Sequence, residues 1–164
     1  MKILPRQLRK ENYSYFSSKS VADLKGDFKR LFDSKWYDFS TNLDGEFKKD
    51  DEFIITKKIT FWSSPAGNSY TLLKGKLSSE NRQTRIDLTV IPNPIVNIFT
   101  FVFPIFGLMS FYVTIFSPKE NWNETLVVGI VFTFLVPIAS AFYSQFAKND
   151  LRNKFVETFK LTKM

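Results

Sequence analysis

The sequence predicts an α+β membrane protein: a small antiparallel β-meander with an amphipathic helix, followed by a two-helix transmembrane hairpin and an amphipathic C-terminal helix. Two stretches, Thr89–Pro118 and Thr125–Ala147, contain no charged residue. The part of the chain before them is rich in charges and in alternating apolar residues. We therefore expect a cytoplasmic α+β domain over residues 1–94, a hairpin over 95–144 and a cytoplasmic tail over 145–164.

Both uncharged stretches are long enough to cross a bilayer. We place the spans at 95–116 and 126–144, because a helix that rises about 1.5 Å per residue needs about 20 mostly apolar residues to cross. A chain of 164 residues cannot bury two such helices in a water-soluble core. The chain also turns polar within Met1–Arg6, which lacks the apolar segment of a signal peptide.

Lysine and arginine predict the orientation of the hairpin. The tail after Ala147 carries five of these residues, whereas the loop Ser117–Glu124 carries only Lys119. Segments rich in Lys and Arg stay on the cytoplasmic side. We expect both termini in the cytoplasm and a multi-pass protein of a bacterial inner membrane, since the high Phe, Lys and Asn content is typical of low-GC bacteria.

Hydrophobic periodicity predicts the elements of the N-terminal domain. Apolar residues at three- and four-residue spacing predict an amphipathic helix over Ser20–Asp33, with Ser18 or Ser20 as the candidate cap. Alternation of apolar and polar residues predicts strands. The main strands are expected at Phe53–Trp62, Tyr70–Leu77 and Thr84–Ile91, with shorter ones at Gly45–Lys48 and at Tyr13–Phe16, the latter at a sheet edge.

The strand region carries a spaced pattern of glycines and apolar residues. Its elements are Gly45-x-Phe47, Phe53-x-Ile55, Leu73-x-Gly75-x-Leu77 and Thr84-x-Ile86-x-Leu88-x-Val90. Followed directly by a membrane hairpin, this pattern resembles a group of small uncharacterised bacterial two-span membrane proteins. The resemblance covers about residues 44–115 and implies the architecture only.

The segment after the second span is predicted to be an amphipathic helix. Phe146, Leu151, Phe155 and Phe159 are interspersed with charged residues. This helix is expected either to lie on the inner membrane surface or to pack against the N-terminal domain, and the sequence leaves both open.

The two predicted spans share the motif aliphatic-Phe-Thr-Phe-x-x-Pro-Ile. A proline leaves the carbonyl four residues earlier without its helical partner, so Pro104 frees the carbonyl of Thr100 and Pro137 that of Thr133. We expect two helix kinks at nearly the same depth. They serve either to shape the hairpin or as a hinge near the bilayer midplane.

Other span residues suit helix contacts or the membrane interface. Small or polar positions allow either packing within the hairpin or association with a further helix: Asn97, Gly107, Ser110, Gly129, Ser140 and Ala141. Aromatic residues near the span ends are expected to anchor at the headgroups: Trp122, Tyr112 and Tyr143. Basic residues are expected to contact anionic lipid, or merely to enforce orientation: Arg82, Arg85, Lys148, Arg152 and Lys154.

Composition disfavours several kinds of chemistry. The chain contains no Cys and no His, and no phosphate-binding glycine loop or Gly-x-Ser-x-Gly motif. We therefore expect no cofactor, no metal and no enzymatic activity. The positive charge is dispersed and lacks a nucleic-acid-binding motif, so no nucleic-acid partner is expected.

The predicted architecture favours a non-catalytic accessory or adaptor protein. Such a protein would dock a cytoplasmic partner or a larger complex at the inner membrane. Two alternatives are a homo-oligomeric channel or small-solute pathway, and a lipid-sensing cytoplasmic domain tethered to the bilayer. The expected contacts are the lipid bilayer and either a protein partner or further copies of the chain.

Overall fold

A computed structural model gives the fold of residues 9–33, 42–58, 71–80, 83–116 and 122–163, except for the side chain of Asn97. These residues form two compact units. The first, the hairpin unit, contains residues 94–145. The second, the sheet domain, contains residues 9–93 together with the C-terminal segment that starts at Phe146.

The sheet domain is built on six antiparallel strands. They are β1 (Glu11–Ser17), β2 (Leu43–Phe47), β3 (Glu52–Lys57), β4 (Leu72–Glu80), β5 (Gln83–Ile91) and β6 (Thr162–Lys163). Across the sheet their order is β2-β3-β4-β5-β1-β6. Strands β2 to β5 form a meander, β1 adds to β5, and the C-terminal β6 adds to β1.

Strand register defines the end of the sheet at which the chain leaves for the hairpin. Strand β5 ends at Ile91, three residues before the first hairpin helix begins at Pro94. Val90 lies opposite Glu11 of β1, and Ile91 lies opposite Leu72 of β4. The start of β1 and the start of β4 therefore lie at this end of the sheet, which we call the exit end.

Helix α1 (Val21–Phe32) covers one face of the sheet. Ser20 caps its start, and its side chain accepts a hydrogen bond from the backbone N–H of Asp23 at 3.2 Å. Leu24, Phe28 and Leu31 point into the core, as their spacing of three and four residues predicts. The alternate strand residues form the opposite face, which no described helix covers.

The hairpin unit contains one long apolar helix and most of the apolar part of a second, whose C-terminal part belongs to the sheet domain. The first is α2 (Pro94–Phe116). The second runs continuously through α3 (Trp122–Ile130), a π-helical turn (Val131–Leu135) and α4 (Val136–Thr158). Both are long and apolar enough to cross a membrane, and few of their apolar-window residues are buried.

Exposed apolar side chains are concentrated in the hairpin. Within the described residues, every large hydrophobic side chain that is exposed lies between Ile98 and Phe146. The sheet domain before Asn93 contributes none of them. The chain therefore divides into a part with an ordinary buried core and a part whose outer surface is apolar.

The C-terminal segment completes the core of the sheet domain. Leu151, Phe155, Phe159 and Leu161 are buried in the same cluster as α1 and the strands. The Phe155 ring lies 5.8 Å from the Phe28 ring, and the Phe159 ring lies 4.4 Å from it. Burying one such side chain stabilises a fold by about 1.5–3 kcal/mol, and a whole domain is stable by only about 5–15 kcal/mol. The four residues together therefore match the net stability of a domain of this size.

Two glycines in the strand pattern make room for aromatic rings. A Cβ on Gly75 would overlap the ring of Phe53, its direct cross-strand partner. A Cβ on Gly45 would lie 2.5 Å from the Phe32 ring. Phe53 itself packs edge-on against Phe28 at 4.7 Å. The glycines in the strand pattern thus stand where the rings of Phe53 and Phe32 pack directly against the strands.

The predicted α+β class and antiparallel sheet are confirmed. The strand predicted over Phe53–Trp62 ends at Lys57, and residues 59–62 lie outside the described part of the chain. The strand predicted at the edge near Tyr13 is instead flanked by β5 and β6. That position could not be predicted from the sequence because β6 comes from the far end of the chain.

Gly75→Ala is expected to destabilise the sheet domain by about 1–3 kcal/mol, since the Phe53 ring would have to shift out of its packing against Phe28 and Phe155. Gly26→Ala is the matched control, because a Cβ there meets nothing within 4 Å. Alanine at this helical position should stabilise the domain by about 0.5–1 kcal/mol. Thermal unfolding of the full chain in mild detergent measures both. Equal changes in the unfolding midpoint for the two substitutions would contradict the packing of the Phe53 ring against Gly75.

Candidate functional site

The first copy of the shared motif lies in a continuous α-helix. Helix α2 runs through Pro104 without a change of helix type. The hydroxyl of Thr100 donates to the carbonyl of Val96 at 2.8 Å, one turn earlier. This hydroxyl is thus engaged within its own helix, as is common for Thr in apolar helices.

The second copy has a different backbone. Val131–Leu135 forms a π-helical turn, and the backbone N–H of Val136 donates to the carbonyl of Val131. Pro137 follows directly, at the second residue of α4. Local π-turns re-satisfy backbone groups that a proline leaves without partners in apolar helices. The shared motif therefore lies in an unbroken α-helix in the first apolar helix and in a π-turn in the second.

Contacts between the helices limit the relative depth of the two prolines. The Phe103 and Phe132 rings stack at 5.3 Å, and the hydroxyl oxygens of Thr114 and Thr125 lie 2.8 Å apart. With these contacts, Pro104 lies opposite residues 131–135, and Pro137 lies two to six residues, or roughly 3–9 Å, further along the axis. The expectation that the two prolines lie at nearly the same depth stays a prediction.

The two hairpin helices approach most closely at glycines. A Cβ on Gly107 would lie 2.6 Å from the backbone nitrogen of Thr133 and 2.8 Å from the carbonyl oxygen of Gly129. A Cβ on Gly129 would lie 2.8 Å from the Phe111 ring. The sequence left two roles open for these glycines, packing within the hairpin and association with a further helix. The structure shows that they pack within the hairpin. Ser110, another of the small positions, bonds to the carbonyl of Phe106 in its own helix.

The hydroxyl of Thr133 is buried at this crossing. It has no hydrogen-bond partner among the described residues. In contrast, the hydroxyls of Thr100, Ser110 and Thr114 each donate to the carbonyl four residues earlier. The Thr133 hydroxyl makes no such bond, so the second motif has the less satisfied hydroxyl of the two.

Gly107→Ala is expected to push the hairpin helices apart and to destabilise the hairpin by about 1–3 kcal/mol, because the new methyl group meets backbone atoms of the facing helix. Leu108→Ala is the control, since Leu108 is exposed on the same helix. Thermal unfolding in mild detergent, followed by helical circular dichroism, checks the difference. An unchanged midpoint for Gly107→Ala would show that the helices do not cross there.

The predicted aromatic anchors lie at the ends of the two helices. Tyr112 is in the last turns of α2, and Trp122 is the first residue of α3. Tyr143 lies toward the opposite end of the hairpin, and all three side chains are exposed. Contact of these rings with headgroups stays a prediction.

The basic residues predicted to contact lipid are separated in the structure. Arg82 lies outside the described residues. Arg85 is near the start of β5, about 20 Å of strand away from the exit end at roughly 3.3 Å per residue. Its guanidinium pairs with Asp87 at 3.0 Å and with Glu80 at 3.4 Å. Arg85 is therefore committed to neighbours on the sheet.

Lys148 and Arg152 hold α4 to the start of β1. The Lys148 side chain is 1 % exposed; its Nζ donates to Glu11 at 2.7 Å and to the carbonyl of Arg9 at 3.3 Å. The Tyr13 hydroxyl donates to the same Glu11 carboxylate. The Arg152 guanidinium lies 4.7 Å from the centre of the Tyr13 ring. Burial, together with the Glu11 carboxylate, raises the pKa of Tyr13 above its usual range.

A second ion pair joins α4 to β3. Lys57 is buried and pairs with Asp150, one turn before Lys154. Burial lowers the pKa of Lys57, and the nearby charge of Lys154 lowers it further. Of the three residues on α4 that were predicted to contact lipid, Lys148 and Arg152 bind groups of the sheet domain. The third, Lys154, lies near the buried Lys57.

Reasoning from the sequence missed Glu11, Tyr13 and Lys57. Glu11 and Lys148 are 137 positions apart, and no periodicity links charges at such a distance. Within the described residues, no group of three or more acidic side chains is placed to hold a metal ion. No protein-family profile, no curated protein and no solved structure matches the chain.

Glu11→Gln is expected to destabilise the sheet domain by about 3 kcal/mol, because it leaves the Lys148 ammonium buried without its counter-charge. Glu46→Gln is the control: its ion pair with Lys48 is exposed, so a change below about 1 kcal/mol is expected. The double substitution Glu11→Leu with Lys148→Met should recover most of the loss. Thermal unfolding of the full chain tests all three variants. Similar losses from Glu11→Gln and Glu46→Gln would contradict a buried ion pair.

Proposed function

We propose that this chain is a two-span, non-catalytic accessory protein of the bacterial inner membrane that docks an acidic protein partner at its cytoplasmic sheet domain. The observation that supports membrane insertion most strongly is that, among the residues the structure describes, the exposed large apolar side chains all lie within Ile98–Phe146. Contiguous apolar surface on this scale is unfavourable in water and favours lipid.

The composition of the sheet domain supports a same-side arrangement of the two termini. Its strands come from before the hairpin, and Phe155, Phe159 and β6 come from after it. A hairpin that leaves and re-enters one folded domain returns to the side of the membrane it left. The Lys- and Arg-rich tail favours the cytoplasm as that side.

The uncovered face of the sheet supports docking of an acidic partner. Lys74 and Lys76 are exposed there on β4, and neither forms an ion pair within the described residues. Their cross-strand neighbours on β5 are Thr89 and Asp87. The Asp87 carboxylate already accepts hydrogen bonds from Ser14 at 2.6 Å and from Arg85 at 3.0 Å.

Asp87 is bound by its own neighbours, whereas the side chains of Lys74 and Lys76 are exposed. The Ser14 hydrogen bond lowers the pKa of Asp87, with help from Arg85 and from the nearby charge of Lys76, so this carboxylate stays ionised. Lys74 and Lys76 sit two residues apart on one strand, hence on the same face. Exposed lysines of this kind steer and orient an acidic surface.

Mild-detergent extraction of tagged full-length protein tests the proposal. We expect a protein partner to co-purify and to be released by salt, which screens exposed charges. Lys74→Glu with Lys76→Glu should lower recovery of the partner at least about tenfold, equivalent to about 1.4 kcal/mol.

The control exchanges lysines elsewhere in the same domain. Lys160→Glu with Lys163→Glu makes the same change of net charge near β6 and should leave partner recovery unaltered. Repeated recovery of the chain alone as a stable monomer would overturn the adaptor role. Equal losses from both double variants would show that overall charge, rather than this face, attracts the partner.

A further inference from the structure

The sheet domain is assembled from two segments that the hairpin separates in the chain. Residues 9–93 supply β1 to β5 and α1, whereas the second half of α4 and β6 come after the hairpin. During synthesis the first segment is complete before the second exists. Its core residues Phe28 and Phe53 then lack Phe155, which lies 5.8 Å from each ring in the folded domain.

Contacts of the C-terminal segment reach several separate elements of the first segment. Phe159 packs edge-on against Phe28 of α1 at 4.4 Å. Lys148 bonds to Glu11 of β1, and Asp150 pairs with Lys57 of β3. The last strand extends the sheet, with Thr162 opposite Phe16. The segment therefore joins α1, β1 and β3 to one another.

We propose that docking of residues 146–163 is a conformational lock that closes the cytoplasmic domain only after both spans are inserted and the chain has returned to its starting side. If the second span fails to insert or takes the wrong orientation, these residues are kept away from the sheet. The domain then stays open, with Phe28 and Phe53 lacking their aromatic neighbours. Closure of the domain thus distinguishes a correctly inserted hairpin from an incorrect one. The inference rests on the proposed membrane insertion and not on the proposed partner.

Co-expression of the chain as two pieces, divided between α2 and α3, tests the lock directly. Each piece then carries one span, and the second piece carries the C-terminal segment. Pull-down through the first piece should recover the second. Phe155→Ala with Phe159→Ala should lower this recovery about tenfold, equivalent to about 1.4 kcal/mol, and should expose residues 9–93 to protease.

A matched control uses the same helix and the same residue type. Phe142→Ala with Phe146→Ala changes side chains that are 73 % and 68 % exposed, and should leave recovery and protease resistance unchanged. If the second piece with Phe155→Ala and Phe159→Ala is recovered to the same extent as the control piece, the pieces pair through the hairpin alone and the lock is excluded.

A second measurement covers the case in which the altered piece does not accumulate. Membrane vesicles carrying residues 1–145 are treated with protease, with and without a synthetic peptide of residues 146–164. Peptide added on the sheet side should restore protection of the sheet, and a peptide with both phenylalanines replaced by alanine should not. Full protection without any peptide would overturn the proposal. These assays contain no partner, so their outcome is independent of the docking role.

Discussion

The structure depends on the packing of Phe155 and Phe159 against the aromatic side chains of α1 and the sheet. Phe28 contacts both rings and also the ring of Phe53. This cluster brings together residues from before and after the hairpin, so the hairpin is an insertion into the sheet domain rather than an appendage to its C-terminus. Because net domain stabilities are only several kcal/mol, removal of these contacts is expected to open the domain.

The same arrangement changes the role of the basic residues that follow the second span. Lys148 and Arg152 satisfy Glu11 and the Tyr13 ring, inside the domain, at the point where α4 meets β1. Their charges still favour a cytoplasmic location. They hold α4 against β1, however. Lys74 and Lys76 lie on the opposite face of the sheet, are exposed, and form no ion pair among the described residues. This is why we place partner docking on the sheet face and not on the tail.

Local sequence signals predicted the elements well. Ser20 marks the start of α1, and the alternation in Thr84–Ile91 matches β5 closely, because capping and two-residue periodicity act between near neighbours. Features that depend on distant partners were not predictable. The pairing of Gly75 with Phe53 and of Glu11 with Lys148 arises only when strands and helix meet. The π-turn before Pro137 was also not predicted, since the shared motif around Pro104 lies in an unbroken α-helix and the motif alone does not distinguish the two.

The two ends of the chain complete one sheet, and the absence of cysteine allows a direct test of this pairing. Phe16→Cys with Thr162→Cys places two thiols on directly opposed residues of β1 and β6. Cross-strand positions of this kind have the Cβ separation that a disulfide requires. After mild oxidation in native membranes and cleavage between α2 and α3, we expect two pieces that remain joined until reduction. Pieces that separate without reductant, or that join equally well with Ser14→Cys in place of Phe16→Cys, would contradict it.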